Sequence, residues 1–170
     1  MTYVIGCDPG TEQSALVVFD PAEMRVVSHA VDRNDAVLEG LAKSVVGKHA
    51  ILVIEMVESF GMPVGREVFE TVFWSGRFAQ AWAGRFDSLP RRIIKQHLCH
   101  TARATDANIR QALIDRFGPG PEKAIGKKAT PGPLYGIKGH CIAALAVAVT
   151  YADQHAASVD QIRRGVVAEF

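Results

Sequence analysis

Asp8 is the first residue whose position suggests chemistry. It ends the run Tyr3-Val4-Ile5-Gly6-Cys7-Asp8 and is followed by Pro9-Gly10. A β-rich segment that stops at a carboxylate and a Pro-Gly turn presents that carboxylate at a strand end, clear of the sheet. Gly6 and Gly10 leave little bulk beside it. Such a group suits Mg²⁺, which takes oxygen ligands and only a few of them from protein. It serves equally well as a turn Asp that bonds its own backbone. Glu55 is the second candidate. It lies in Ala50-Ile51-Leu52-Val53-Ile54-Glu55-Met56, a nearly continuous apolar run of the kind that forms a strand buried on both faces. A carboxylate there is costly unless a cation or a basic side chain meets it. A Lys or Arg partner is one solution; a metal shared with Asp8 is the preferred one. His140 is the third, in the first turn of an apolar helix, where an imidazole can ligate a metal, exchange protons near neutral pH or simply line the helix start.

The elements that must position these groups follow from periodicity. Residues 2–8 and 13–20 read as strands joined by the Pro-Gly turn, and 25–31 as a third strand after Asp20-Pro21, which makes an antiparallel meander. Asn34 or Asp35 caps a helix over 36–46, with Val37, Leu38, Leu41 and Val45 at helical spacing and Gly47 as its stop. The strand over 50–56 then completes a β-β-β-α-β order that lays Glu55 beside Asp8. Glu58 to Gly65 is a loop whose Phe60 and Met62 are candidates to wedge against bases or to anchor the loop. A helix over 66–83 carries Phe69, Val72, Phe73, Gly76, Ala79 and Ala83 on one face, a core or dimer surface. Residues 90–95 read as a short edge strand with basic flanks. Thr105 or Asp106 caps a helix over 106–117, which buries Ile109, Leu113, Ile114 and Phe117 and stops at Gly118. Residues 118–136, rich in Gly and Pro, form a long loop with three lysines. The last helix runs over 139–155 and packs deeply. Residues 1–156 are read as one domain and 157–170 as a peripheral tail.

The net charge of +1 conceals an uneven distribution. Residues 1–84 hold 6 Lys/Arg against 11 Asp/Glu, whereas residues 85–138 hold 11 against 4. An acidic first half beside a basic middle suits a carboxylate site that acts on a polyanion, and nucleic acid is the favoured partner. Lys95, Arg103, Arg110, Lys123, Lys127 and Lys128 are the candidates for phosphate contact, and Phe60 joins them as a candidate for contact with bases. No run of about 18 apolar residues is present, so no membrane span is expected. No basic-then-apolar leader opens the chain, and Cys7, Cys99 and Cys141 have neither an even count nor metal-type spacing. A cytoplasmic protein with reduced thiols is expected. His97, Cys99 and His100 match no zinc motif.

The whole set resembles the RNase H-like fold, and within it the RuvC family of Holliday junction resolvases. The resemblance rests on Ile-Gly-Cys-Asp-Pro-Gly at 5–10, Val-Ile-Glu at 53–55, the helix after Gly65, residues 102–113 and Ala-Ala-Leu-Ala-Val-Ala at 143–148. Thr-Pro-Gly-Pro-Leu-Tyr-Gly at 130–136 resembles phage-encoded members, and a phage-encoded protein is expected in the bacterial host cytoplasm. It implies an α/β protein with a mixed five-stranded sheet flanked by helices. It also implies a homodimer that hydrolyses phosphodiester bonds in four-way DNA junctions during recombination, repair or phage DNA processing.

In that family four residues bind two Mg²⁺ or Mn²⁺ ions. Asp8 matches the first, Glu55 the second and His140 the third, and the resemblance makes these both the metal-binding and the catalytic residues. By that likeness Asp8 bridges the ions, Glu55 holds one, and His140 ligates or shuttles a proton. The fourth is usually an Asp three residues after the third, and here that position is Ala143. Asp153 is too far along the helix to substitute, since thirteen residues rise about 20 Å. Asp106 is a candidate from another element, although nothing in the sequence places it there. Two alternatives follow: an endonuclease of broader branched or flap DNA, and a catalytically impaired junction-binding protein. A phosphotransferase of the actin and hexokinase type, suggested by Asp8-Pro9-Gly10-Thr11, lacks the chain length for two lobes and a nucleotide cleft.

Overall fold

The computed structural model describes residues 3–44, 49–59, 61 and 63–156. The readings made for Val45, Gly47, Phe60, Met62 and the tail after 156 lie outside the described residues. Strands β1 (Tyr3–Asp8), β2 (Gln13–Asp20), β3 (Arg25–Arg33), β4 (Ala50–Met56) and β5 (Arg85–Pro90) form one mixed sheet in the order β3-β2-β1-β4-β5. β3, β2 and β1 pair antiparallel, while β1, β4 and β5 run parallel. The expected β-β-β-α-β order is present, with helix α1 (Asn34–Ala42) before β4.

Alternation divides the sheet into two faces. Ile5, Cys7, Leu52 and Ile54 point to one face, where they pack with Val37 and Leu41 of α1 and with Phe78 of α2 (Arg66–Ala81). Val4, Val17, Ile51 and Val53 point to the other. That face is covered by α6 (His140–Gln154) and by α4 (Asp106–Phe117), with α3 (Arg91–Cys99) packed beside them. α6 is buried over most of its surface because residues 141–152 are nearly all apolar. Gly6 lets it come close: a Cβ there would lie 2.0 Å from the Ala144 carbonyl oxygen. No helix among the described residues is long and apolar enough to cross a membrane.

Several expectations change. Residues 91–99 are helix α3, not part of an edge strand, and the edge strand β5 precedes them. Pro90 ends β5 opposite Met56 and serves as the N-cap, while Ile94 is buried with Ile93 and Leu98 packed beside it. That is helical spacing within a segment too short for the pattern to stand out. Residues 118–136 are not structureless: α5 (Pro121–Ala124) and the two-residue strands β6 (Gly126–Lys127) and β7 (Thr130–Pro131) fold there, anchored by buried Ala124 and Leu134. α2 ends at Ala81 and buries Ser75 and Phe78, whereas Phe69, Val72 and Phe73 stay exposed.

Asn34 does not cap α1 through its side chain. It is buried, accepts from Ser14 Oγ at 2.6 Å and donates to the Gly10 carbonyl at 2.9 Å. Gly10 N–H in turn donates to Ser14 Oγ at 3.1 Å. This network holds the turn that follows Asp8. Thr105 caps α4 as expected, in a reciprocal capping box with Asn108.

Candidate active site

Register brings the two carboxylates together. Gly6 pairs with Val53 and Cys7 with Ile54 on parallel neighbours, so Asp8 and Glu55 come next on adjacent strands. Both follow the alternation of Val4 and Val53 and face α6. The close Gly6–Ala144 contact sets the first turn of α6 against the end of β1, and His140 Nδ1 lies 2.9 Å from Asp8 Oδ2. A cleft of about 570 Å³ opens here, and its lining includes Asp8, Glu55, His140 and Ala143 together with Arg91, Asp106 and Arg110. The N-terminal ends of α4 and α6 both border it, and helix N-termini favour negative charge.

Glu55 is largely buried and has the basic partner that its place in a buried strand requires. Arg91 Nη1 donates to both Glu55 carboxylate oxygens at 2.8 Å. Its Nη2 donates to Asp106, so one guanidinium spans two carboxylates from different elements. Burial pushes the carboxyls of both Asp8 and Glu55 above the usual carboxylate range. His140 and Arg91 pull Asp8 down and Asp106 pushes it up; Glu55 is pulled down by Arg91 and pushed up by Asp8 and Asp106. Burial works against the charge on Arg91, but Glu55 and Asp106 outweigh it and hold the guanidinium above its ordinary value. The Cys7 thiol is also pushed well up by burial, then by Asp8 and Glu55, so it stays protonated packing material.

Among the described residues, no three His, Cys, Asp or Glu side chains are gathered closely enough to hold an ion. The donor types are nevertheless those a hard divalent cation takes: desolvated carboxylate oxygens and an imidazole that share one cleft. A positive group already sits among them, since Arg91 donates to both Glu55 and Asp106. Asp8, Glu55, His140 and Asp106 all border this one space.

The structure separates the basic candidates. Arg110 lines the cleft itself. Lys95 and Arg103 line an adjoining depression that shares Glu55 and Arg91 with it and adds Arg92. Lys123, Lys127 and Lys128 are exposed on α5 and the β6–β7 hairpin and line neither hollow. His97 is engaged elsewhere, 2.7 Å from Asp153, which also accepts from Arg116. The sequence pattern alone gives Arg91 no role, because residues 90–95 read as a strand. The signal that pointed to it was Glu55, a buried acid in need of a counter-charge.

The sequence matches no protein-family model and no curated protein. Solved structures do match. The Thermus thermophilus RuvC structure superposes with a TM-score of 0.64 at 17% identity, covering 93% of this chain and 98% of that one. T. thermophilus RuvC in complex with Holliday junction substrate superposes with a TM-score of 0.62 at 18% identity, covering 94% and 98%. The chain therefore has the fold expected for it, an RNase H-like α/β arrangement with a mixed five-stranded sheet flanked by helices.

Proposed function

We propose that this chain is a metal-dependent endodeoxyribonuclease that cleaves four-way DNA junctions by phosphodiester hydrolysis. The observation that carries the reading is the meeting of Asp8, Glu55 and His140 in one cleft at the ends of β1, β4 and α6. The likeness to a RuvC solved with Holliday junction substrate supports four-way DNA as the substrate class. Arg110 in the cleft and Arg92, Lys95 and Arg103 beside it provide cationic contacts for the strands that flank the scissile phosphate. Lys123, Lys127 and Lys128 extend the basic surface to more distant phosphates.

In the reaction, water adds to phosphorus, the bond to the 3′ oxygen breaks, and a 5′-phosphate and a 3′-hydroxyl remain. A bound Mg²⁺ or Mn²⁺ would supply Lewis acidity toward the water and the leaving oxygen. Asp8 and Glu55 would provide the anionic oxygens that hold it. His140 commits Nδ1 to Asp8 and keeps an exposed ring, so Nε2 is free to exchange a proton with the attacking water or the leaving oxygen. Two such sites are needed to nick a four-way junction symmetrically, and a second copy of the chain provides the other. The exposed Phe69, Val72 and Phe73 on α2 suit that contact.

Ala143 and the hold of Arg91 on Glu55 favour one competing reading, a protein that binds junctions without cutting them. A synthetic four-way junction with Mg²⁺ or Mn²⁺, run beside linear duplex, separates the two. Paired nicks in the junction alone are expected, with Asp8→Asn and Glu55→Gln each lowering cleavage at least about 100-fold while junction binding persists. Binding without cutting in either metal would favour the competing reading. Near-wild-type cutting by either variant would remove Asp8 or Glu55 from the site.

A further inference from the structure

We propose that the depression beside the cleft takes up one unstacked nucleotide of the DNA strand, next to the phosphate that lies in the cleft. The proposal deepens the junction-cleaving reading above and rests on it. The depression has a volume of about 460 Å³, within the roughly 300–1,000 Å³ of hollows that hold small ligands. Glu55 and Arg91 line both the cleft and the depression, so the two hollows share a wall. A strand with one phosphate in the cleft therefore has a neighbouring nucleotide within reach of the depression.

The lining suits both parts of a nucleotide. Met56, Val57 and Ala102 offer apolar residues to a base, while Arg92, Lys95 and Arg103 offer charge to its phosphate. The cations of the depression are not equally engaged. Arg91 is taken up by Glu55 and Asp106, and Arg92 lies 3.8 Å from Glu58. Among the described residues, no carboxylate pairs with Lys95 or Arg103, and Lys95 is partly buried. A partly buried cation without a counter-charge favours an anion. Both are carried on ordered backbone. Lys95 follows buried Ile94 in α3, and Arg103 precedes buried Ala104, whose N–H donates to the Thr101 carbonyl at 3.3 Å. The consequence is a preference for branched DNA. Unstacking a nucleotide costs least where its pairing is already broken, as at the crossover of a four-way junction, and more within an intact duplex.

The test uses four-way junctions that carry 2-aminopurine at one branch-point position at a time, because its fluorescence rises when the base unstacks. Each junction is saturated with the full chain in the absence of divalent ions, so that cutting plays no part, and binding is followed separately by mobility shift. At one position the wild type is expected to raise the fluorescence by about twofold or more. Lys95→Ala/Arg103→Ala removes the unpaired charge, and Val57→Asp places an acid among the apolar residues; both are expected to lose the rise. Val57 is 39% exposed and outside the core, so Val57→Asp keeps the fold. Arg25→Ala/Lys43→Ala removes as much charge from exposed positions outside the depression and is expected to keep the rise. Junction binding by the wild type with no rise at any position overturns the proposal, as does a full rise in Lys95→Ala/Arg103→Ala or in Val57→Asp. In those cases junction recognition itself stands. A wild-type chain that binds no junction overturns the junction-cleaving reading together with this one.

Discussion

Asp8 carries opposing demands. The fold buries it between β1 and α6, and that burial raises its proton affinity more than His140 and Arg91 lower it. A carboxyl whose folded value lies above its unfolded one binds its proton more tightly in the native state. Its ionised form therefore costs stability, in full above the folded value and not at all below the unfolded one of 3.8. Asp8→Asn is thus expected to raise the melting temperature of the metal-free protein at pH 7, with the gain shrinking as pH falls toward 3.8. Thermal denaturation of both chains across that range checks it. A variant less stable at pH 7 would mean that the His140 contact outweighs desolvation. A site that stores unfavourable charge for a ligand to relieve is a familiar compromise between stability and function.

At the scale of elements, the site depends on how closely α6 approaches β1. Gly6 has no Cβ, and α6 answers with small side chains at Ala144 and Ala148. A methyl group at position 6 would meet the Ala144 backbone oxygen and also lie 3.0 Å from the Ala148 Cβ, so the helix must lift. Gly6→Ala is expected to cost about 1–3 kcal/mol or more in chemical denaturation. It should also separate His140 from Asp8, which makes cleavage fall further than the loss of folded protein explains. Unchanged stability would show that α6 has slack at this contact. The far end of α6 is held independently, where Asp153 takes His97 of α3 and Arg116 of α4 at 2.7 and 2.6 Å. The helix is thereby pinned at both ends, with the candidate site at one of them.

For the whole molecule, the two faces of the sheet divide the work. The α6 face bears the cleft; the other bears α2, whose Phe69 and Phe73 are each 64% exposed. Arg77 stacks over the Trp74 ring, with its carbon 4.3 Å from the centroid, beside this apolar row. Phe86 on the edge strand lies level with Leu52 and is exposed on the same side. Large exposed aromatics grouped this way mark an interaction surface. Sedimentation is expected to give a dimer for the wild type and a monomer for Phe69→Glu/Phe73→Glu. The fold should survive, because neither ring belongs to the core. A dimer that persists in the variant would move the interface elsewhere.

Much of this was legible in the sequence. Strands β1, β2 and β4 announced themselves by dense apolar runs that end at turn residues, and the carboxylates at Asp8 and Glu55 stood out because they interrupt those runs. The deep burial of α6 followed from its apolar residues on every side. What tertiary structure decided were the partnerships between segments distant along the chain. Periodicity describes which face of an element is apolar, not which element lies against it, so Phe69 and Phe73 counted equally as core or as outer surface. Residues 91–99 are too short for helical spacing to separate from a strand, and Arg91 came into view only once α3 turned it toward Glu55. Asn34 looked like a cap and became a brace for the Gly10 turn, because Ser14 stands across from it in space. Asp106 was an acid at a helix start, and only the packing of α4 beside α6 set it in the cleft with Asp8 and Glu55.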